Sequence, residues 1–305
     1  MQRSFYEEIS ANKRDSFLLM VSFSLIIIAL VGLISWAWAG SWLGGMIIGF
    51  IISIIAILIG YYGGAGSILS MSNAKPVTKE QDPFLINTVE GLAIAEGIPT
   101  PKVYMIEENS INAFATGRDP KHASITITSG ARKKLNRTEL EGVIGHEMSH
   151  IGNYDIRFMM LVVVLVGVIV LISDFMLRSF LWGGAGRSRE GKNMGIITLV
   201  LIVIALVLAI LSPLIAKMIQ FSISRKREFL ADATGAKLTR YPQGLANALK
   251  KIRDDTDKVV DTANKATAHL YLENPLRHKE KISWLDKMFM THPPIEERIK
   301  RLEAM

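Results

Sequence analysis

The chain has no cysteine among its 305 residues. Disulfide scaffolds, thiol nucleophiles and cysteine-ligated zinc are therefore excluded. Charge is sparse at 21% and missing from several long stretches, while half of the residues are hydrophobic. That balance rules out a disordered chain. The glycine clusters at 60–66 and 183–186 lack a following Gly-Lys-Ser/Thr, so neither forms a phosphate-binding loop. No repeat of domain size is present. The net charge of +7 is modest and fits either a nucleic-acid partner or loops beside an anionic membrane face. Its distribution has to decide.

What is there, first, is apolar length. A bilayer crossing needs roughly 20 apolar residues, and four stretches qualify: Phe17–Ala39, Trp42–Tyr62, Phe158–Leu181 and Met194–Ile219. They pair into two hairpins, the first joined only by Gly40 and Ser41. Asp174 and Arg178 sit four apart in the third stretch, a spacing that lets them pair on one helix face near the interface. Ala37-Trp38-Ala39 has the form of a signal-peptidase site. The run before it is longer than a signal core, however, and a second span follows at once. Basic residues near the spans set orientation. Eleven lie on the side of the termini and three (Arg187, Arg189, Lys192) in the second hairpin loop. The expectation is a multi-pass membrane protein, with both termini and both polar regions cytoplasmic. The basic hairpin loop is a local exception to the rule.

The polar regions divide the chain into 1–62 (tail and first hairpin), 63–157, 158–219 (second hairpin) and 220–305. Residues 63–157 read as mixed α/β. Asp82-Pro83 starts a helix that Gly97 ends, and strands are expected at Lys102–Ile106, Ile111–Thr116 and Ala123–Thr128. Thr138-x-x-Glu141 reads as a capping box for a helix that runs to about Gly152. Residues 220–305 read as mostly helical, with a polar stretch at 253–265 that suits a loop. The fold class expected is α+β: a helical membrane anchor of four spans carrying a mainly helical cytoplasmic domain with a small β-sheet.

The strongest chemical signal is His146-Glu147-Met148-Ser149-His150. On a helix, residues four apart share a face, so both imidazoles reach one metal ion. Glu147 beside them can take a proton from a water that the ion activates. A catalytic zinc site needs a third protein ligand. The elongated motif would place a histidine at 156, where the chain has Ile156. Farther on, Glu228 and Asp232 are four apart on a helical stretch. Glu228 could ligate, with Asp232 holding a ligand imidazole, although an ordinary charged helix would look the same. A shared metal also demands an even number of spans between His146 and Glu228, and two are seen. Phe158 follows His150 by eight positions and Glu228 follows Ile219 by nine. At 1.5 Å per helical residue, the site lies within roughly 12–14 Å of the membrane.

With these motifs in place, the chain resembles the HtpX-type membrane zinc metalloproteases, relatives of the prenyl-CaaX endoproteases and of soluble gluzincins. The resemblance runs through two N-terminal spans, the His-Glu-Met-Ser-His helix, a second hairpin and Arg-Glu-Phe-Leu-Ala-Asp at 227–232. It implies one Zn²⁺ per subunit on His146, His150 and Glu228, Glu147 as catalytic base, and Asp232 supporting a ligand. It further implies that Asn112-Ala113-Phe114 belongs to the substrate-binding edge strand. Thr291-His292-Pro293-Pro294 with Arg298 resembles an element whose His292 or Arg298 helps to stabilise the tetrahedral intermediate. The implied activity is hydrolysis of misfolded or damaged membrane polypeptides at the cytoplasmic face. A site-specific processing protease, including one for prenylated substrates, and a silent zinc-binding scaffold are the alternatives, and an intact Glu147 argues against the scaffold. No nucleic-acid partner is expected. Residues 63–157 hold ten basic and eleven acidic side chains, and the basic clusters flank the metal helix and the membrane exit.

Overall fold

The computed structural model describes residues 5–165, 167, 168, 225–257, 270–272 and 293–305. Within them, two long helices, α1 (Phe5–Ala39) and α2 (Trp42–Met71), form a hairpin. Gly40 makes the turn at φ 66, a left-handed conformation that glycine adopts without strain, and the Ser41 hydroxyl caps α2 by accepting from the Gly44 amide. Both helices are long and apolar enough to cross a membrane. Leu43, Ile47, Ile51, Leu58 and Ile59 project outward, at least half exposed. Such a belt is costly in water and suits lipid.

The second helix is longer than its apolar run, continuing nine residues beyond Tyr62 through the glycine cluster. The reason is packing. A Cβ at Gly60 or Gly64 would stand 3.1 Å from Val164 or Met160, so these glycines admit the helical segment 155–165 at close range. That segment also packs through Phe158, Leu161 and Leu165 against Phe23 and Ile27 of α1. It is the start of the third apolar stretch. The rest of that stretch, the fourth stretch, Asp174 and the hairpin loop lie outside the described residues.

The polar domain centres on a four-stranded mixed sheet in the order β1-β2-β4-β3, with β1 Lys75–Pro76, β2 Lys102–Ile106, β3 Ala113–Gly117 and β4 Ala123–Thr128. β2 and β4 run parallel; β1 and β3 are antiparallel to their neighbours. The alternation in β4 does not mark a solvent face: all six residues are buried, Ser124, Thr126 and Thr128 included. One side of the sheet, through Ala113, Ala115, Ile125 and Ile127, faces the helical core. The other, through Phe114 and Ile106, joins Ile68, Met160 and Tyr271 at the polar ends of the membrane helices. The sheet thus fastens the domain to its anchor.

Helix α3 (Pro83–Glu96) starts and stops where expected: Asp82 accepts from the Leu85 amide, and Gly97 closes it at φ 75. A short helix, α4 (Ser129–Lys134), follows β4. For α5 (Arg137–Gly152) the expected capping box is displaced by two residues. Asn136 is the cap: its side chain accepts from the Glu139 amide, and the Glu139 carboxylate accepts from the Asn136 amide. The displaced box has the same chemistry, and Lys251 settles the register by pairing with buried Glu139 at 2.7 Å. The helices Arg225–Thr239 and Pro242–Asp254 pack on α5, and Ile295–Glu303 packs on both of them.

Candidate metal centre

The site is made where α5 and the Arg225–Thr239 helix meet backbone to backbone. A Cβ on Gly235 would fall 2.8 Å from the His146 amide nitrogen. Glu228, Asp232 and Gly235 are spaced four and three apart, so the face that makes this contact also carries both carboxylates. Closeness of the two helices brings short acidic side chains to the histidines.

The donors converge. His146 Nε2 and His150 Nε2 are 3.2 Å apart, and Glu228 oxygens lie 3.7 Å from the first and 3.5 Å from the second. All three residues are buried. Ligands about 2.0–2.1 Å from a tetrahedral zinc stand about 3.3 Å from one another, so the set fits that ion. The outer ring nitrogens face carboxylates. Asp232 Oδ1 is 2.9 Å from His146 Nδ1, and Asp155 Oδ2 is 3.0 Å from His150 Nδ1. With Nδ1–H donating to a carboxylate, each Nε2 lone pair is left for a cation. Burial alone would depress the His150 pKa, but the Asp155 hydrogen bond and the charges of Glu228, Asp155 and Glu147 raise it to about 9. Glu147 is itself buried beside this cluster.

Arg298 belongs to the same knot. It is 1% exposed, and its guanidinium holds Asp232 with two hydrogen bonds while Nη1 donates to the Leu272 carbonyl. Nη1 also stands 3.7 Å from a Glu228 oxygen, so the guanidinium expected to help an oxyanion borders the metal donors while anchored on Asp232. His292 lies outside the described residues. Asn112, Ala113 and Phe114 are buried where the chain enters β3, one of the two edge strands of the sheet. The Asn112 side chain accepts from the Ala113 amide, the Ala113 carbonyl accepts from the Leu272 amide, and the Tyr271 ring meets Phe114 edge-on at 5.0 Å. His122 pairs with Asp119 at the surface.

Sequence reading missed Asp155, Asn12 and Gly235. A carboxylate five residues beyond the second histidine was the available signal for Asp155. Nothing local marks Asn12, whose partners stand 141 and 143 residues away.

Comparison with known proteins agrees with this geometry. The profile of Peptidase family M48 matches residues 79–305. The chain is 43% identical to a Protease HtpX homolog of Dictyoglomus turgidum, across 99% of this chain and 95% of that one. It is 45% identical to another from Caldanaerobacter subterraneus subsp. tengcongensis, across 100% and 99%. Among solved structures, S. mikatae Ste24p shares the fold at 19% identity with a TM-score of 0.50, over 98% of this chain and 67% of that chain.

Proposed function

The chain belongs to peptidase family M48, and from that premise we propose that this zinc metalloprotease cleaves misfolded or damaged membrane polypeptides at the cytoplasmic face of the bacterial plasma membrane. His146, His150 and Glu228 are the ligands in this reading, and Glu147 is the base. The convergence of two imidazole nitrogens and one carboxylate within 3.2–3.7 Å carries it.

Zinc, when bound, polarises the scissile carbonyl and lowers the pKa of water in the site to about 7. The remaining work falls to the protein. The Glu147 carboxylate accepts the water proton and passes it to the leaving amine, a transfer worth about 10²–10⁴-fold. Asp232 fixes the His146 ring, and Arg298 fixes Asp232, so Arg298 acts through the ligand shell. His292 remains the proposed donor to the tetrahedral oxyanion. The substrate lies extended along β3 at Asn112–Phe114, which favours unfolded segments. In the structure the Ala113 carbonyl accepts from the Leu272 amide, so a substrate pairing at Ala113 would take the place of that contact. Four spans are read from the four apolar stretches, and cytoplasmic termini from the excess of basic residues on one side.

The test is Glu147→Gln in the membrane-embedded full chain, with zinc content, peptide turnover and the membrane proteome measured together. Zinc should remain at one per subunit, turnover should fall at least about 10²-fold, and misfolded membrane polypeptides should accumulate. Near wild-type turnover would remove Glu147 from the mechanism. An unchanged proteome would remove the substrate class.

A further inference from the structure

Asp155 is a buried carboxylate that the proposed mechanism leaves without a role. It stands just past the metal helix, where the chain turns toward the membrane. α5 ends at Gly152, and Tyr154 takes φ 63, a left-handed conformation that costs a non-glycine residue about 1–2 kcal/mol. The Tyr154 ring lies against Lys13 and Arg157, at 4.3 and 4.9 Å, which holds the turn in place. The turn brings Asp155 back onto His150. One carboxylate oxygen meets the imidazole Nδ1 at 3.0 Å; the other accepts from Asn12 Nδ2 at 2.7 Å and lies 3.7 Å from Arg227 Nε.

Asn12 comes from α1, the first membrane-directed helix, and is 1% exposed. The same amide nitrogen also donates to the Asn153 carbonyl at 2.8 Å. It therefore ties both the turn and the carboxylate. Arg227 immediately precedes Glu228 and reaches back to Asp15 of α1 at 3.1 Å. A carboxylate 2% exposed is stable in ionised form only when such partners compensate its lost hydration. A Nδ1–H···carboxylate bond fixes the tautomer, the ring orientation and the basicity of a metal-ligating imidazole.

We propose that Asp155 is the positioning residue of His150 and that Asn12 holds Asp155 in place, so that docking of the first membrane helix sets the metal affinity of the site. This deepens the reading above and rests on His150 being a ligand. Loss of the first helix's contact would loosen a ligand without touching the catalytic base.

The experiment uses the full chain in detergent, with zinc affinity measured by competition against a chromophoric chelator. The visible spectrum of the cobalt-substituted protein reports ligand geometry, and the melting temperature of the chelated protein reports the fold. Asp155→Asn should weaken zinc binding about 10–100-fold and shift the cobalt bands. Asn12→Ala should move both in the same direction and by less. The Asp155→Asn/Asn12→Ala pair should bind no more weakly than Asp155→Asn alone, since the two act in series. An unchanged affinity and cobalt spectrum in Asp155→Asn, with His150→Ala losing zinc, would overturn the positioning role alone. Zinc retained in His150→Ala would overturn the ligand reading and this proposal with it. Additive losses in the double variant would sever Asn12 from the relay, as would a lowered melting temperature of the chelated protein with no spectral shift.

Discussion

Arg298 and Asp232, 66 positions apart, close a two-pronged ion pair inside the protein. Nε meets Oδ2 at 2.9 Å and Nη2 meets Oδ1 at 2.7 Å, and neither residue is more than 2% exposed. Burial pushes the Asp232 carboxyl up, but the guanidinium and the His146 ring bring it down to about 2. The carboxylate therefore stays charged and holds His146 at any working pH.

Removing the guanidinium leaves that charge buried with half its support gone. Breaking a buried pair costs about 3–5 kcal/mol. Arg298→Ala should lower the melting temperature and weaken zinc binding about 10–100-fold through His146. Arg298→Lys keeps the charge but cannot match both oxygens with a planar fork, so it should restore only part of the loss. Tryptophan-fluorescence melting and chelator competition measure both effects. A lysine variant equal to the wild type would show that charge alone matters there.

Gly235 predicts a second, purely steric sensitivity. A methyl at this position would sit 2.8 Å from the His146 amide nitrogen and 3.0 Å from the Gly145 carbonyl carbon, both backbone atoms that cannot swing away. Gly235→Ala should cost about 1–3 kcal/mol, as overpacking does, and should reduce zinc affinity because Glu228 and Asp232 ride on the displaced helix. Gly91, inside the Pro83–Glu96 helix, has nothing within 4 Å of the same added methyl. Gly91→Ala should gain about 0.5–1 kcal/mol from helix propensity. Thermal melting of the two variants should therefore move in opposite directions. Equal shifts would mean that the close helix contact does not hold the site together.

The contrast between these residues also shows what the amino-acid sequence could convey. His146, Glu147 and His150 were legible because their spacing is one helical turn within one element, and Glu228 with Asp232 repeats that spacing. The apolar lengths of α1 and α2 were legible for the same local reason. Their far limits were not: α2 runs past Tyr62 because Gly60 and Gly64 meet Met160 and Val164, a contact a hundred residues away. The cap at Asn136 was displaced by two because Asn136-x-x-Glu139 and Thr138-x-x-Glu141 have equivalent chemistry and Lys251 decides between them. Asn12 acquires meaning only from Asn153 and Asp155, 141 and 143 positions away. What escaped the sequence was long-range partnership, which no period of 3.6 or 2 encodes.

The last prediction concerns protons at His150. Burial disfavours its charged form, yet the Asp155 hydrogen bond and the surrounding carboxylates raise its pKa to about 9, against about 6.5 for an unfolded histidine. The metal-free site is thus protonated at neutral pH. A raised folded pKa stabilises the metal-free protein fully below about 6.5, and that contribution is lost as pH climbs through 9. Zinc requires the neutral ring, so its uptake displaces the proton. That one displaced proton makes the gap between the zinc-loaded and chelated melting temperatures depend on pH. At a fixed, buffered free zinc concentration, that gap should widen steadily from pH 7 to 9. Calorimetric titrations at pH 7 in buffers of different ionisation enthalpy should register close to one proton released per zinc bound. A gap that stays flat or narrows with rising pH, or a titration that releases no proton, would mean that Asp155 and its neighbours do not hold a proton on His150. The carboxylate arrangement around His150 would then need a different explanation.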